Sequence, residues 1–187
     1  MRGIEWKRPD EWGVPGQQSV VWSGGVDPDD VSRGRLGNCY FLAAIAGCAL
    51  GDHDVLLKDL CIEDHADVGM YGVKFFVNGK WVTVLIDDRI PCVKQGSIWM
   101  PIFSSPKAHS GQQHGEKELW PMIFEKAWAK LHLSYEATAG GLTEDAASYL
   151  SAGVIRRVPL ERGADNDDAW VILVCVDTLF GSSLAVS

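Results

Sequence analysis

Apolar residues run without interruption from residue 39 to residue 50, directly after a polar stretch that ends in Gly34, Gly37 and Asn38. About twelve such residues are too many for an ordinary strand, and their Ala and Leu content favours a helix. The pattern predicts one buried helix opening at Cys39. Residues 71–77 and 80–86 are β-branched and aromatic runs on either side of Asn78-Gly79. Both turn residues tolerate positive φ, so a tight hairpin is predicted there. A further strand is expected over 97–103. Apolar positions at 120, 123, 124, 127, 128 and 131 have helical spacing, with Pro121 tolerated in the first turn. They predict a helix over 119–132. Shorter helices are expected over 54–60 and over 145–150, the second begun by Thr143-Glu144. Residues 169–176 have the propensity of a buried strand, while the acidic residues 165–168 before them resemble an N-cap cluster. Residues 104–117 are expected to form a polar surface loop. Residues 1–38 scatter Trp6, Trp12 and Trp22 among Pro9, Pro15, Pro28 and many glycines, which predicts an irregular arm pinned to the body by its tryptophans. There are no repeats and no internal linker, so the expected architecture is a single mixed α+β unit.

Composition narrows what that unit can do. The 187 residues are 47% hydrophobic and include eight tryptophans, enough for a core of ordinary domain size. A net charge of -8 without any Lys/Arg cluster excludes a nucleic-acid partner on electrostatic grounds. Five cysteines, an odd number with no C-x-x-C pair, indicate neither a disulfide framework nor a zinc site. With no apolar leader after Met1 and no membrane-spanning run, a soluble, cytoplasmic protein is expected.

The candidate chemistry centres on Cys39. Asn38 is a favourable N-cap whose side-chain oxygen can accept from the free N–H groups of the first turn, placing Cys39 at the first helical position. There the positive end of the helix dipole, with Arg33 and Arg35 upstream, favours the nucleophilic thiolate. Buried, inert packing is the competing role for a cysteine opening an apolar helix. A nucleophilic cysteine needs a base, usually His. His53 and His65 lie in polar connections, His109 and His114 in the polar loop, and His132 at a helix end, and solvated surface positions describe all five. A second candidate is the loop 22–30, where Gly24, Gly25, Asp27, Asp29 and Asp30 could serve a hard cation such as calcium. It lacks the spacing of an EF-hand, and an acidic solvated loop is the alternative.

The run Gly34-Arg35-Leu36-Gly37-Asn38-Cys39-Tyr40-Phe41-Leu42-Ala43-Ala44 resembles the nucleophile motif of the calpains, calcium-dependent papain-like cysteine proteases, whose pattern is Gly-x-Leu-Gly-Asp-Cys-Trp-Phe-Leu-Ala-Ala. Further matches follow in the same order. They are Trp6-Lys7-Arg8-Pro9, Gly79-Lys80-Trp81-Val82, Ile86-Asp87-Asp88-Arg89-Ile90-Pro91, Glu118-Leu119-Trp120-Pro121, Glu125-Lys126-Ala127-Trp128-Ala129-Lys130-Leu131, Ser134-Tyr135-Glu136-Ala137 and Gly140-Gly141. The likeness extends over essentially the whole chain.

It implies a papain-like fold of which residues 1–187 are the first lobe, the calpain protease-core subdomain 1, with Cys39 as nucleophile. The family's catalytic His and Asn belong to a second lobe, and their Gly-His-Ala and Asn-Pro-Trp-Gly contexts do not occur here. This chain alone is therefore expected to be inactive and to need that lobe as a partner, with proteins as substrates. The resemblance also implies a calcium site, with backbone carbonyls of Ser23 and Gly25 and carboxylates of Asp30 and Glu118, and a helix over 169–180. Three departures stand out. The family's oxyanion-hole Gln, six residues before the nucleophile, falls on Arg33; its Asp becomes Asn38; its Trp becomes Tyr40. Loss of an oxyanion donor costs roughly a hundredfold to a thousandfold in turnover. The alternative function is accordingly a calpain-like module that no longer turns over and binds partner proteins through a Trp-lined half-cleft.

Overall fold

The computed structural model describes residues 3–13, 15–22, 31–32, 36–49, 54–106 and 116–154. The hydrophobic run forms α1 (Cys39–Cys48), and the short helix α2 (Asp54–Leu60) leads straight into β4 (Cys61–His65) of a three-stranded antiparallel sheet. That sheet continues with β5 (Met70–Val77) and β6 (Lys80–Asp87), paired from Met70 with Asp87 to Val77 with Lys80. Asn78 and Gly79 have φ of 50° and 81°, the left-handed pair that a two-residue hairpin matching strand twist requires. Along β6, Val84 and Ile86 are buried while Leu85 and Asp87 are exposed, the period of two of a half-buried strand.

Two more helices close the core. In α3 (Trp120–Leu131) the predicted apolar face is buried from Trp120 to Trp128, and α4 (Thr143–Ser151) packs on α1 and β5. Phe41 and Ile45 of α1, Phe75 of β5 and Phe124 of α3 have no exposed surface. Each such side chain contributes about 1.5–3 kcal/mol by leaving water.

The arm departs from expectation. Rather than lying irregularly on the surface, it is stitched in by β1 (Ile4–Lys7), β2 (Ser19–Val20) and β3 (Val31–Ser32). β1 pairs with β7 (Ile90–Gln95), which continues to β8 (Ile98–Pro101); β3 pairs with β9 (Ser105–Pro106); and β2 runs parallel to β10 (Lys117–Glu118). These partners are far away in sequence, and pairing between distant segments leaves no local periodicity to detect. The tryptophans do pin the arm: Trp12 is buried, and Trp22 stacks on Trp120 at 5.9 Å. Trp6 is half exposed and leans on Tyr135 at 6.3 Å. Strand β7 was equally unforeseen, because Pro91 interrupts its sequence; the proline occupies the second position of the strand. The region 169–180, expected as strand by propensity and as helix by resemblance, lies outside the described residues.

Lys117 is the polar anchor of the arm. Its buried ammonium donates to the carbonyls of Pro9 (2.5 Å) and Trp12 (2.8 Å) and sits 4.5 Å over the Trp12 ring. Burial pulls its pKa below the usual lysine value. Lys117→Met keeps the stem but leaves both carbonyls without this donor. Chemical denaturation should show a loss of about 2 kcal/mol, the scale of a charged hydrogen bond removed from a buried acceptor; an unchanged midpoint would mean that the arm is held by its strands alone.

Candidate active site

Helix α1 buries Phe41, Leu42, Ala44, Ile45 and Cys48 but leaves Cys39 and Ala43, one turn apart, facing outward. The exposed thiol therefore sits at the first position of a helix whose opposite face is fixed in the core. The remaining described cysteines, Cys48, Cys61 and Cys92, are buried and form no disulfide. Desolvation pushes the thiols of Cys61 and Cys92 up to about 12, which leaves them protonated and unreactive. The direction in which α1 faces thus keeps Cys39 out of the buried packing.

Asn38 does not cap the helix with its side chain. Its backbone carbonyl accepts from Phe41 (2.9 Å) and Leu42 (3.1 Å), while its side chain turns inward, 1% exposed, and donates from Nδ2 to Oε1 of Glu125 at 2.6 Å. The charge-assisted bond from Nδ2 to a buried carboxylate holds the whole amide inward, away from the N–H groups of the first turn, and the expected cap is forgone. The residue before, Gly37, accepts from the backbone N–H of Gly140 at 2.8 Å. Residues 139–141 thereby lie against the start of α1.

Tyr40 shapes the flank of the site. Its hydroxyl accepts from Nε1 of Trp128 at 3.1 Å, and its ring covers Gly141 so closely that a Cβ there would lie 2.5 Å from the ring. Trp128 is the hub behind it, stacked on Phe41 at 4.7 Å and edge-on to His132 (4.2 Å) and Tyr149 (5.1 Å). His132 is consequently not the solvated helix-end histidine expected. It is half-buried, its Nε2 has no partner, and desolvation lowers its pKa. Among the described residues His65 is exposed, and no hydrogen bond joins it or His132 to Cys39.

Of the expected cation ligands, Glu118 is buried at the end of β10, beside Val20 of β2, and the next backbone bonds run from Leu119 to Val20 and from Trp120 to Val21. This places Glu118 alongside the strand that leads into residues 23–30. Ser23, Gly25, Asp30 and the oxyanion position Arg33 lie outside the described residues. Among the described residues alone, no group of three or more His, Cys, Asp or Glu side chains could hold a metal ion. Strand β3, which ends one residue before Arg33, pairs Ser32 with Ser105.

Comparison with known proteins bears on this arrangement. A family described as calpain family cysteine protease matches residues 1–186. The chain is 39% identical over 152 residues to the calpain-type cysteine protease DEK1 of Zea mays, covering 80% of this chain and 6% of that protein. It is 34% identical to calpain-8 of Homo sapiens over 192 residues, all of this chain and 25% of that protein, and 34% identical to the calpain-1 catalytic subunit of Mus musculus over 190 residues, 99% and 24%. The chain spans a quarter or less of the length of these relatives.

Two outcomes test the packing around the site. Gly141→Ala must displace the Tyr40 ring, and thermal unfolding should report about 1–3 kcal/mol of destabilisation, as overpacking does; an unshifted midpoint would mean that the two segments do not touch. His132 resists protonation when folded, so its contribution is fully present above the unfolded value near 6.5 and declines as pH falls through it. His132→Phe should flatten the fall in stability between pH 7.5 and 5.5, and an identical slope in both proteins would contradict this.

Proposed function

Because the chain belongs to the calpain family of cysteine proteases, we propose that it supplies the nucleophile of a calpain-type endopeptidase, with Cys39 as the attacking group. The observation that carries this reading is the exposed thiol at the first turn of α1, while the other described cysteines are buried. Attack by the thiolate on the scissile carbonyl forms an acyl-enzyme as the C–N bond breaks. The amine leaves with a proton supplied by a histidine, and water then hydrolyses the thioester. That histidine and its Asn partner would come from a second lobe of the same parent protein, so the isolated chain would not turn over.

In this reading residues 1–187 are the Cys-bearing lobe, and Arg33 takes the place of the family's Gln as the side chain nearest the developing oxyanion. Calcium fits as a structural ligand: carbonyls of Ser23 and Gly25 with carboxylates of Asp30 and Glu118 form an all-oxygen set. The burial of Glu118 beside the strand entering that loop supports it. The ion would align the arm and the lobes without entering the chemistry. Protein substrates accord with the family, and a reducing, cytoplasmic setting accords with described cysteines that form no disulfide. Among the described residues no helix is long and apolar enough to cross a membrane. The second reading, a binding module without turnover, is favoured by the charged Arg33 at the oxyanion position.

A peptidase assay on the parent protein, titrated with calcium beside Cys39→Ala and Glu118→Gln, separates the two. Calcium-dependent cleavage that disappears with Cys39→Ala and needs more calcium with Glu118→Gln is the expected result. A folded, calcium-binding protein that cleaves nothing would instead support the binding module.

A further inference from the structure

Behind Cys39 lies a buried polar cluster that the peptidase reading does not use. Glu125, midway along α3, is 2% exposed. Asn38 Nδ2 donates to its Oε1 at 2.6 Å, while the backbone N–H and Oγ of Ser104 donate to its Oε2 at 2.9 and 2.6 Å. One carboxyl thus joins three separate segments. The first is residue 38, directly before the nucleophile. The second is residue 104, directly before β9, whose partner β3 ends one residue short of Arg33. The third is the core helix α3 itself.

Three converging donors suit an ionised carboxylate. Burial opposes them and pushes the pKa of Glu125 up. Asn38 reconciles the two tendencies, because its amide has both a donor and an acceptor end. As observed it offers Nδ2 to an ionised Glu125, and its Oδ1 is buried without a partner. Turned over, the same amide would offer Oδ1 to a protonated Glu125. An aspartate at this position, as in the family motif, could meet an ionised Glu125 only by keeping a proton. The other titratable group facing Glu125 is Tyr135, whose phenol is pushed up by burial and then by the charges of Glu125 and Asp87. Lys126, the next residue of α3, turns instead to Asp87 and to the carbonyl of Arg89.

We propose that Glu125 is a positioning residue for Cys39, and that Asn38 makes this clamp indifferent to protonation, so that the start of α1 stays in place across the neutral pH range. Its consequence for proteolysis rests on Cys39 being the nucleophile; the clamp itself does not.

The test compares Asn38→Asp, Glu125→Gln and the double variant in the parent protein. Unfolding equilibria and the rate of iodoacetamide alkylation at Cys39 are followed from pH 4.5 to 8. In Asn38→Asp the folded carboxyl pair holds a proton that the unfolded chain gives up near pH 4. Relative to a parent whose Glu125 is ionised, the form its three donors suit, its folding equilibrium should therefore weaken by up to about tenfold per pH unit as pH rises, and the alkylation profile should depart from the parent's in the same window. In the double variant the carboxylate at 38 accepts from the glutamine amide while the glutamine oxygen keeps the Ser104 donors. Both profiles should return to the parent's. Glu125→Gln alone should stay close to the parent, since Asn38 can turn its oxygen toward the new amide. The proposal is overturned if Asn38→Asp follows the parent at every pH or if the double variant is no better than Asn38→Asp. A change in stability with an unaltered alkylation profile would overturn the positioning role. Should Asn38→Asp fail to fold at neutral pH, recovery or failure of the double variant decides. None of these readouts needs peptidase activity, so an inactive parent protein would count against the protease reading and leave the clamp standing.

Discussion

A helix that must be buried along one face and open at its first residue is difficult to hold by hydrophobic packing alone, because packing is non-directional and a helix can slide or rotate in its slot. In this protein the carboxyl group of Glu125 supplies the direction. It takes donors from Asn38 and Ser104 within hydrogen-bonding distance, in a region with almost no solvent exposure. Buried polar contacts of this kind specify one arrangement, since any slip leaves a desolvated group unpaired. The exposure of Cys39, the approach of residues 139–141 to Gly37 and the seat of Tyr40 all follow from where α1 begins.

Around that polar point the aromatic residues fix the orientation of α3 against α1 and the sheet. Trp128 touches Phe41, Phe75, His132 and Tyr149 and hydrogen-bonds to Tyr40. One side chain on α3 thereby reports on α1, β5 and α4 together. The cost is a histidine held beside it with an unpartnered ring nitrogen. The same logic recurs in the arm, where Lys117 satisfies two arm carbonyls and faces the Trp12 ring. In both places a tryptophan provides area and one polar atom provides register.

The site is correspondingly one-sided. It offers an accessible thiol on a rigid helix and a flank made by Tyr40 and the 139–141 segment. Among the described residues no histidine is hydrogen-bonded to Cys39. Under the proposed protease reading, this is what a first lobe would supply: an exposed thiol with an open side toward a base on a second lobe. The calpain-type cysteine proteases it resembles are four or more times its length.

Much of this was legible in the residues themselves. Helices α1, α2, α3 and α4 and the β5–β6 hairpin follow from local pattern, because periods of 3.6 and 2 and the Asn78-Gly79 turn act over a few neighbouring residues. Cys39 as the candidate nucleophile and the family were equally readable, from an ordered set of motifs. Tertiary structure decided the rest. Strands β1, β2 and β3 exist only because partners as far as residues 90–118 reach them, and no local pattern encodes a partner that distant. Local chemistry made Asn38 a helix cap; only the fold, by burying Glu125 opposite it, drew the side chain inward. His132 looked like a surface residue at a helix end until Trp128 and Tyr149 closed around it. The sequence determined which groups were available for chemistry, whereas their exposure, pairing and protonation depended on long-range burial, which is set by the whole chain at once.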